Sequence, residues 1–188
     1  MLTITRKKDN RVVKSILHRV ADIPGGVGVS VANLGGAVLC EGTPIGIDAS
    51  TGLYKVVKTA KLYANATNTD TAYKVCKGHH FVAGDYITSG NNNGQLISSI
   101  DKSNAAYDTI TVGTTLGAAL TAGAVMVHVT GSNKTAAVAP VAIVGESYDV
   151  VAGENLFVNA WVIAVVKESL APIVSDTIKS ALKGVIFV

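Results

Sequence analysis

Residues 75–85, VCKGHHFVAGD, gather the side chains of this chain that are most able to do chemistry: Cys76, His79, His80 and Asp85. Thiolate, imidazole and carboxylate groups bind zinc, and a cysteine beside a histidine can act as a nucleophile with its base. His79 and His80 are adjacent, however, and adjacent residues of a strand point to opposite faces, whereas ligands on one face are two residues apart. No spacing typical of a four-ligand zinc site is present. We therefore predict no metal site.

The two cysteines, Cys40 and Cys76, do not make a disulfide framework. Both lie in apolar, strand-like contexts, where a buried and inert thiol is the common state. The remaining histidines, His18 and His128, are isolated in the sequence. These patterns do not favour a cysteine nucleophile.

Other motifs of enzymes are absent or incomplete in the sequence. In IPGGVGVSVANLGG, Gly26 and Gly28 suggest a dinucleotide-binding loop, but Val31 occupies the third glycine position and the following residues alternate like a strand. There is no phosphate-binding GxxxxGK[ST] loop and no GxSxG nucleophile elbow. Carboxylates are scattered singly, and aromatic residues make up only 5% of the chain, which argues against a stacking platform. We predict no hydrolase, transferase or redox activity, and no cofactor.

The composition favours a protein that contacts other subunits. Of 188 residues, 48% are hydrophobic and only 15% are charged, against roughly 25% charged in a typical domain. Other subunits are expected to cover much of a surface so poor in charge. A net charge of +3 is too small to indicate a nucleic-acid partner.

No stretch of the sequence predicts a membrane partner. The longest uncharged stretch, residues 109–133, is interrupted by four glycines and diluted by threonines, so it does not predict a transmembrane helix. The opening residues MLTITRKKDNRVVK have no apolar core followed by a cleavage site, which favours synthesis in a cytoplasm.

Residues 1–20 form a basic lead, which holds six of the sixteen basic residues: Arg6, Lys7, Lys8, Arg11, Lys14 and Arg19. Two interpretations stay open at this point. The lead is either a solvated, poorly ordered arm, or an arm that lies on an acidic partner surface.

Residues 21–188 predict one β-rich domain. Short runs with β-branched and aromatic residues are separated by turn clusters such as residues 67–71 and 90–94. Residues 107–112, YDTITV, alternate cleanly, and residues 155–167, NLFVNAWVIAVVK, are apolar on both faces, which predicts a strand buried on both sides. The recurring sequences FVAGD, LTAGA and VVAGE predict that one type of glycine turn is used three times.

One helix is predicted near the end of the chain, over residues 172–183. Ile173, Ile178 and Leu182 recur at helical spacing, Pro172 stands near the start, and Gly184 can end the helix. The closing VIFV reads as a strand whose apolar residues need a place to be buried. The predicted fold is therefore mainly β: a glycine-rich barrel, tulip-like or sandwich domain with one C-terminal helix.

Four segments resemble the head-decoration and head-fibre proteins of tailed bacteriophages, including the small lambda-like decoration proteins and head proteins of phages and prophages from gut bacteria. The segments are GGAVLCEGTPIGID, YKVCKGHHFVAGDYITSG, ISSIDKSNAAYDTITVGTTLGAALTAGAVM and NAWVIAVVKESLAPIVSDTIKSALKGVIFV. The resemblance covers most of residues 25–188. Because lambda-like decoration proteins are usually much shorter, the middle region here would be an addition.

The resemblance implies a structural role on the outer face of a phage capsid or at the base of a head fibre. It implies the major capsid protein as partner, a homo-oligomer with a trimer favoured, and a location in the virion after synthesis in the bacterial host cytoplasm. Residues 42–48, GTPIGID, would form a turn between core strands, with Pro44 fixing the chain direction and Gly42 and Gly46 letting it bend.

For docking on the capsid we predict four residues of the basic lead: Arg6, Lys7, Lys8 and Arg11. The alternative from another functional class is a receptor- or glycan-binding β-module of a phage fibre or adhesin. That alternative predicts an exposed aromatic or acidic pocket, and the low aromatic content weakens it.

Overall fold

The computed structural model describes residues 14–90 and 92–188. Within those residues the chain forms sixteen strands and one short helix near its C-terminal end. The predicted class, mainly β with a C-terminal helix, is confirmed. No helix of the described residues is long and apolar enough to cross a membrane.

An eight-stranded sheet is built from both ends of the chain. Its order is β1-β15-β12-β4-β5-β2-β14, with β16 added in parallel beside β15. The strands are β1 (Ile16–Asp22), β2 (Val27–Val29), β4 (Pro44–Ile47), β5 (Tyr54–Val56), β12 (Ala142–Val144), β14 (Leu156–Val158), β15 (Ala160–Val166) and β16 (Val185–Phe187). Only Asn159 separates β14 from β15. Strand β14 pairs with β2 and strand β15 pairs with β12, and β2 and β12 are the two ends of the run β12-β4-β5-β2. The sheet therefore curls into a closed ring.

A six-stranded sheet is formed by the middle of the chain, between β5 and β12, and its order is β6-β11-β8-β9-β10-β7. The strands are β6 (Thr59–Lys61), β7 (Ala72–Cys76), β8 (Tyr86–Ser89), β9 (Gln95–Asp101), β10 (Tyr107–Val112) and β11 (Val125–Val129). A bridge between Leu62 and Val75 joins the two end strands, so this sheet also closes on itself. A separate pair joins β3 (Val38–Leu39) to β13 (Tyr148–Asp149).

Each sheet surrounds its own apolar core. Tyr73, Phe81, Ile87, Ile110 and Met126 are fully buried inside the six-stranded sheet. A second cluster fills the eight-stranded ring, and a third lies between that sheet and the helix. The two sheets are joined where the chain leaves β5 through residues 57 and 58 and where it returns to β12.

The predicted glycine turn is confirmed at all three positions. Gly84, Gly123 and Gly153 have φ values of 96°, 94° and 85°. In each turn the N–H of the following residue bonds to the carbonyl three residues before it, as in Asp85 to Val82. Glycine in the third place of such a four-residue turn is the signature of a type II turn, because that place requires a positive φ.

The predicted helix is shorter than its apolar spacing suggests. It covers α1 (Asp176–Ala181) in place of residues 172–183. Ser175 has an extended backbone and its hydroxyl accepts from the Ile178 N–H, which starts the helix at that point. The Leu182 N–H bonds to two carbonyls of the last turn and ends the helix. Pro172 and Ile173 therefore lie before the helix.

Three other predictions need correction. Residues 16–20, assigned to the basic lead, belong to β1, because this strand pairs with β15 and buries Ile16. The segment 42–48 is a turn only at Gly42, whose φ is 83°, and it continues as strand β4. The strand region 155–167 is not buried on both sides in this chain, since Phe157 and Ile163 are exposed.

We predict that alanine destabilises the chain at Gly46 and has little effect at Gly113. A methyl group at Gly46 would overlap the Ala139 carbonyl oxygen where the chain returns from the six-stranded sheet, so Gly46→Ala should lower the free energy of unfolding by about 1–3 kcal/mol. A methyl group at Gly113 meets no atom of the described residues within 4 Å, and Gly113→Ala should change the free energy of unfolding by about 0.5 kcal/mol or less. Urea denaturation measures both, and equal stability of the two variants would contradict the prediction.

Candidate functional site

Three polar side chains meet at the end of the six-stranded sheet that faces the other sheet. Lys58 precedes β6, Asp85 precedes β8, and His128 lies on β11, which pairs with both of those strands. Each is two residues from a core residue of its own strand: Ala60, Ile87 and Met126, respectively. Because strand side chains alternate with a period of two, all three are directed to the core side of the sheet.

Asp85 is the centre of this group, which we call the junction cluster (Lys58, Asp85 and His128). Its Oδ2 lies 2.6 Å from the Lys58 Nζ and also accepts the Val82 N–H at 3.0 Å. Its Oδ1 lies 3.6 Å from the His128 Nε2. Burial lowers the pKa of Lys58, although the contact with Asp85 opposes that shift. Burial also lowers the pKa of His128, again against the effect of Asp85.

A small cavity of about 120 Å³ adjoins the junction cluster. Its lining includes all three side chains of the cluster, together with Lys55, Val138 and the loop at residues 30–34. The volume suffices for a few water molecules or a small anion, since a water occupies about 30 Å³ in the liquid. The cavity gives the buried carboxylate a route to solvent.

A second polar group lies near the first, on the turn after β7. The Lys77 Nζ is 2.5 Å from the Asp108 Oδ1, and the His79 Nε2 is 3.2 Å from the Asp108 Oδ2. The His79 Nδ1 accepts the Phe81 N–H at 3.2 Å, so the ring hydrogen of a neutral His79 is on Nε2. Burial lowers the pKa of His79, partly offset by Asp108. Lys77 is more accessible than Lys58 and borders a groove of about 410 Å³.

His80 is buried between the two groups and packs under the loop at Gly35 and Gly36. Its backbone carbonyl accepts the Gly35 N–H, and its Nδ1 makes no hydrogen bond within the described part of the chain. Burial lowers the pKa of His80 to about 4, with further contributions from Lys58 and His79. At neutral pH this ring is therefore uncharged.

Glu41 holds the described part of the basic lead. The carboxylate is 2% exposed, and its Oε1 accepts the Ile16 N–H at 2.9 Å. The Arg19 guanidinium is 3.4 Å from Oε1, and the Lys14 ammonium is 3.7 Å from Oε2. Lys14 and Arg19 thus contact a carboxylate of their own chain and fasten β1 to the eight-stranded sheet.

The residues predicted to dock on the capsid, Arg6, Lys7, Lys8 and Arg11, lie outside the described residues. The expectation that both cysteines are buried is wrong for Cys40, which is exposed, while Cys76 is half-buried. His79 lies beside Asp108, whereas Asp85 lies beside His128. Within residues 14–90 and 92–188 no three histidine, cysteine or carboxylate side chains are placed to hold a metal ion.

One surface of the eight-stranded sheet is apolar and exposed. Ile163 on β15 shares a face with Val165, whose partner on β16 is Ile186. Val188 continues that face, and the bulges of β1 expose Leu17 and Val20 beside it. We call these five residues the exposed apolar face: Leu17, Val20, Ile163, Ile186 and Val188. Ile186 and Val188 are 60% and 61% exposed, so the closing VIFV buries only part of its apolar surface in this chain.

The comparisons with known proteins found no match among family models, curated proteins or solved structures.

Sequence reasoning missed Lys58, His128 and Glu41 as members of polar clusters. Lys58 and His128 lie far apart in the sequence, and only the pairing of β6, β8 and β11 brings them together. A signal was nevertheless present: Lys58 alternates with Ala60 and Leu62 in a run whose even positions are core positions. A charged residue at a core position needs a partner, which is the reason to search for a carboxylate.

We predict that stability falls on mild acidification because of His80. The pKa of His80 is about 4 in the folded chain and 6.5 as its ordinary value, so between these values the unfolded state binds more protons. The stabilisation that depends on a neutral His80 is fully present above pH 6.5 and decreases as the pH drops toward 4. Over that range this residue should lower the free energy of unfolding by about 3 kcal/mol.

Urea denaturation between pH 7.5 and pH 4 measures the effect. His80→Leu should remove about 3 kcal/mol from the pH-dependent loss, whereas His18→Gln, at an exposed histidine, should leave the loss unchanged. An identical pH dependence in wild type and His80→Leu would contradict the assignment.

Proposed function

We propose that this protein is a structural component of a tailed-phage virion, which decorates and stabilises the outer surface of the capsid or forms the base of a head fibre. The sequence resemblance described above supports the proposal. The structural observation that carries it is the exposed apolar face, because a folded chain with so few charges leaves five aliphatic side chains exposed on one surface.

The position of this face fits assembly. It lies on β1, β15 and β16, which are backed by the core cluster that includes the helix residues Ile178 and Leu182. A rigid sheet that carries aliphatic side chains can bury them against another subunit without reordering its backbone. In this proposal the major capsid protein and further copies of the chain, three to an oligomer, cover the apolar surface.

The polar clusters support a structural role more than a catalytic one. Lys58 pairs with Asp85, and Lys77 pairs with Asp108, in buried or half-buried positions. The Glu41 carboxylate holds β1 by accepting the Ile16 N–H. These contacts join strands that are distant in the sequence. An assembly protein that must resist force gains from such cross-strand contacts.

A glycan- or receptor-binding role is the second candidate, and one surface feature favours it. The rings of Tyr63 and Tyr107 lie 5.2 Å apart with Lys74 above the Tyr107 ring, and Tyr63 is exposed. Aromatic rings with a nearby cation can stack on a sugar or hold a charged group. Binding of purified protein to cell-surface glycan, lost in Tyr63→Ala, would favour this role over capsid decoration.

The direct test is mass spectrometry of purified virions of the phage that encodes the chain, followed by binding of the purified protein to expanded capsids. The proposal expects the protein in virions at a copy number comparable with that of the capsid protein. Absence from virions together with failure to bind capsids would overturn it.

We predict that Ile186→Lys prevents assembly without unfolding the chain. Ile186 is exposed and its side chain points away from the core, so a charged residue there should change the free energy of unfolding by about 0.5 kcal/mol or less. In an interface the same lysine would be desolvated without a partner. Capsid occupancy and oligomer size by light scattering should both fall.

The matched control is Leu96→Lys, an exposed aliphatic residue on β9 of the other sheet. It should keep both the melting temperature and the capsid occupancy of the wild type. Equal occupancy of the Ile186 and Leu96 variants would exclude the exposed apolar face as the contact.

We also predict that the four basic residues at the N-terminus act in binding and not in folding. Serine at all four positions, Arg6, Lys7, Lys8 and Arg11, should lower capsid occupancy and weaken its dependence on salt. The melting temperature should stay unchanged, since the proposal gives these four charges a role in binding and none in folding. The contrasting variant replaces four exposed lysines elsewhere by serine: Lys61, Lys134, Lys167 and Lys183. Equal loss in both variants would contradict a specific docking role.

A further inference from the structure

We propose that the side chains of Lys58 and Asp85 condense to form an intramolecular amide cross-link, with His128 as the group that transfers the protons. The link would join the residue before β6 to the residue before β8, and these two strands flank β11. It would lie at the point where the chain passes from one sheet to the other. This inference does not depend on the function proposed above.

The first argument is proximity. Nζ and Oδ2 are 2.6 Å apart, so the Asp85 Cγ carbon is one bond beyond the atom that Nζ already contacts. Backbone hydrogen bonds hold both residues, since the Lys58 carbonyl accepts the His128 N–H and the Asp85 carbonyl accepts the Ile97 N–H. The Val82 N–H fixes the carboxylate through Oδ2. Reacting atoms held in such a position need no diffusive encounter, which removes a large part of the barrier.

The second argument is burial. The side chains of Lys58 and Asp85 are only 6% and 10% exposed. Burial disfavours the ammonium form and lowers the pKa of Lys58, although the contact with Asp85 opposes that shift. A neutral amine is the form that can attack a carbonyl carbon.

The reaction balances without any other reactant. The Nζ lone pair attacks Cγ and forms the C–N bond, while the Val82 N–H stabilises the negative charge that develops on Oδ2. The bond from Cγ to Oδ1 then breaks, and Oδ1 leaves as water. Of the three hydrogens of the original ammonium, two leave in that water and one remains on the amide nitrogen.

His128 is placed for the proton transfer. Its Nε2 lies 3.6 Å from Oδ1, the oxygen that must leave, and the ring borders the cavity that can receive the water. A neutral imidazole can accept a proton from the nitrogen and return it to Oδ1. No hydrogen bond from the backbone to Oδ1 opposes its departure within the described residues.

The pair Lys77 and Asp108 is an internal control for this argument. Its contact is equally short, at 2.5 Å, but Lys77 is 38% exposed, so solvent reaches this pair far more easily than it reaches Lys58 and Asp85. Asp108 has His79 beside its second oxygen, as Asp85 has His128. If a short contact alone were enough, this pair would also condense; the proposal expects that it does not.

The experiment is the intact mass of the full chain, purified in the folded state and measured after denaturation. The wild type should be lighter than its sequence by one water molecule, and Lys58→Arg should have its full sequence mass, because a guanidinium does not form this amide. The Arg variant keeps the positive charge beside Asp85, and it also cancels any processing of the N-terminus common to both proteins. Tryptic mapping should give a branched peptide that links residue 58 to residue 85, with Lys77 unlinked.

A wild-type mass equal to the sequence mass would overturn the proposal, and the contact would then be an ordinary buried ion pair. Loss of water that maps elsewhere, such as a cyclic imide at an aspartate or a link from Lys77, would overturn it as well. In a time course of cell-free synthesis, His128→Gln should form the link more slowly by on the order of 10²-fold. A wild-type rate in that variant would remove His128 from the reaction.

Discussion

The contact between Lys58 and Asp85 stands where the two sheets are joined, and much of the chain is arranged around it. Lys58 follows the last residues of β5 in one sheet and precedes β6 in the other, and its carbonyl accepts the His128 N–H. Asp85 closes one of the Ala-Gly turns through the Val82 N–H. Loss of either partner would leave a charge in a nearly dry site, a change that commonly costs 3–5 kcal/mol. The position of three neighbouring strands depends on this pair.

The continuous segment from Leu156 to Val166 imposes a second constraint. Because it pairs with β2 at its start and with β12 farther along, it closes the eight-stranded ring and cannot shift by one residue without exposing the core. Beyond the residues that close the ring, β15 pairs with β1 and β16. Side chains on the outer face of these three strands stay exposed. The apolar face is therefore a consequence of how the ring closes.

The sequence predicted local features well and long-range contacts poorly. The Ala-Gly turns at Gly84, Gly123 and Gly153 were predictable because a positive φ has a local chemical cause. Strand β10 was predictable from the alternation of its residues. Helix α1 was predicted too long, because the Ser175 cap starts the helix at Asp176. The junction cluster was not predictable in full, because its members meet through the register of β6, β8 and β11. The strand character of residues 16–20 was hidden by the basic residues in and around this segment, of which Lys14 and Arg19 contact Glu41 from a distant part of the sequence.

The distribution of charge links the fold to the proposed assembly. Few side chains are charged, and several of them contact each other through a buried carboxylate: Lys58 with Asp85, Lys77 with Asp108, and Arg19 with Glu41. The usual arrangement puts charge outside and aliphatic residues inside. Here the surface of β1, β15 and β16 carries aliphatic side chains that are about half-exposed. Complete burial of each against a partner would contribute on the order of 1 kcal/mol. The apolar cores stabilise the isolated chain, while the exposed apolar face favours binding to a partner.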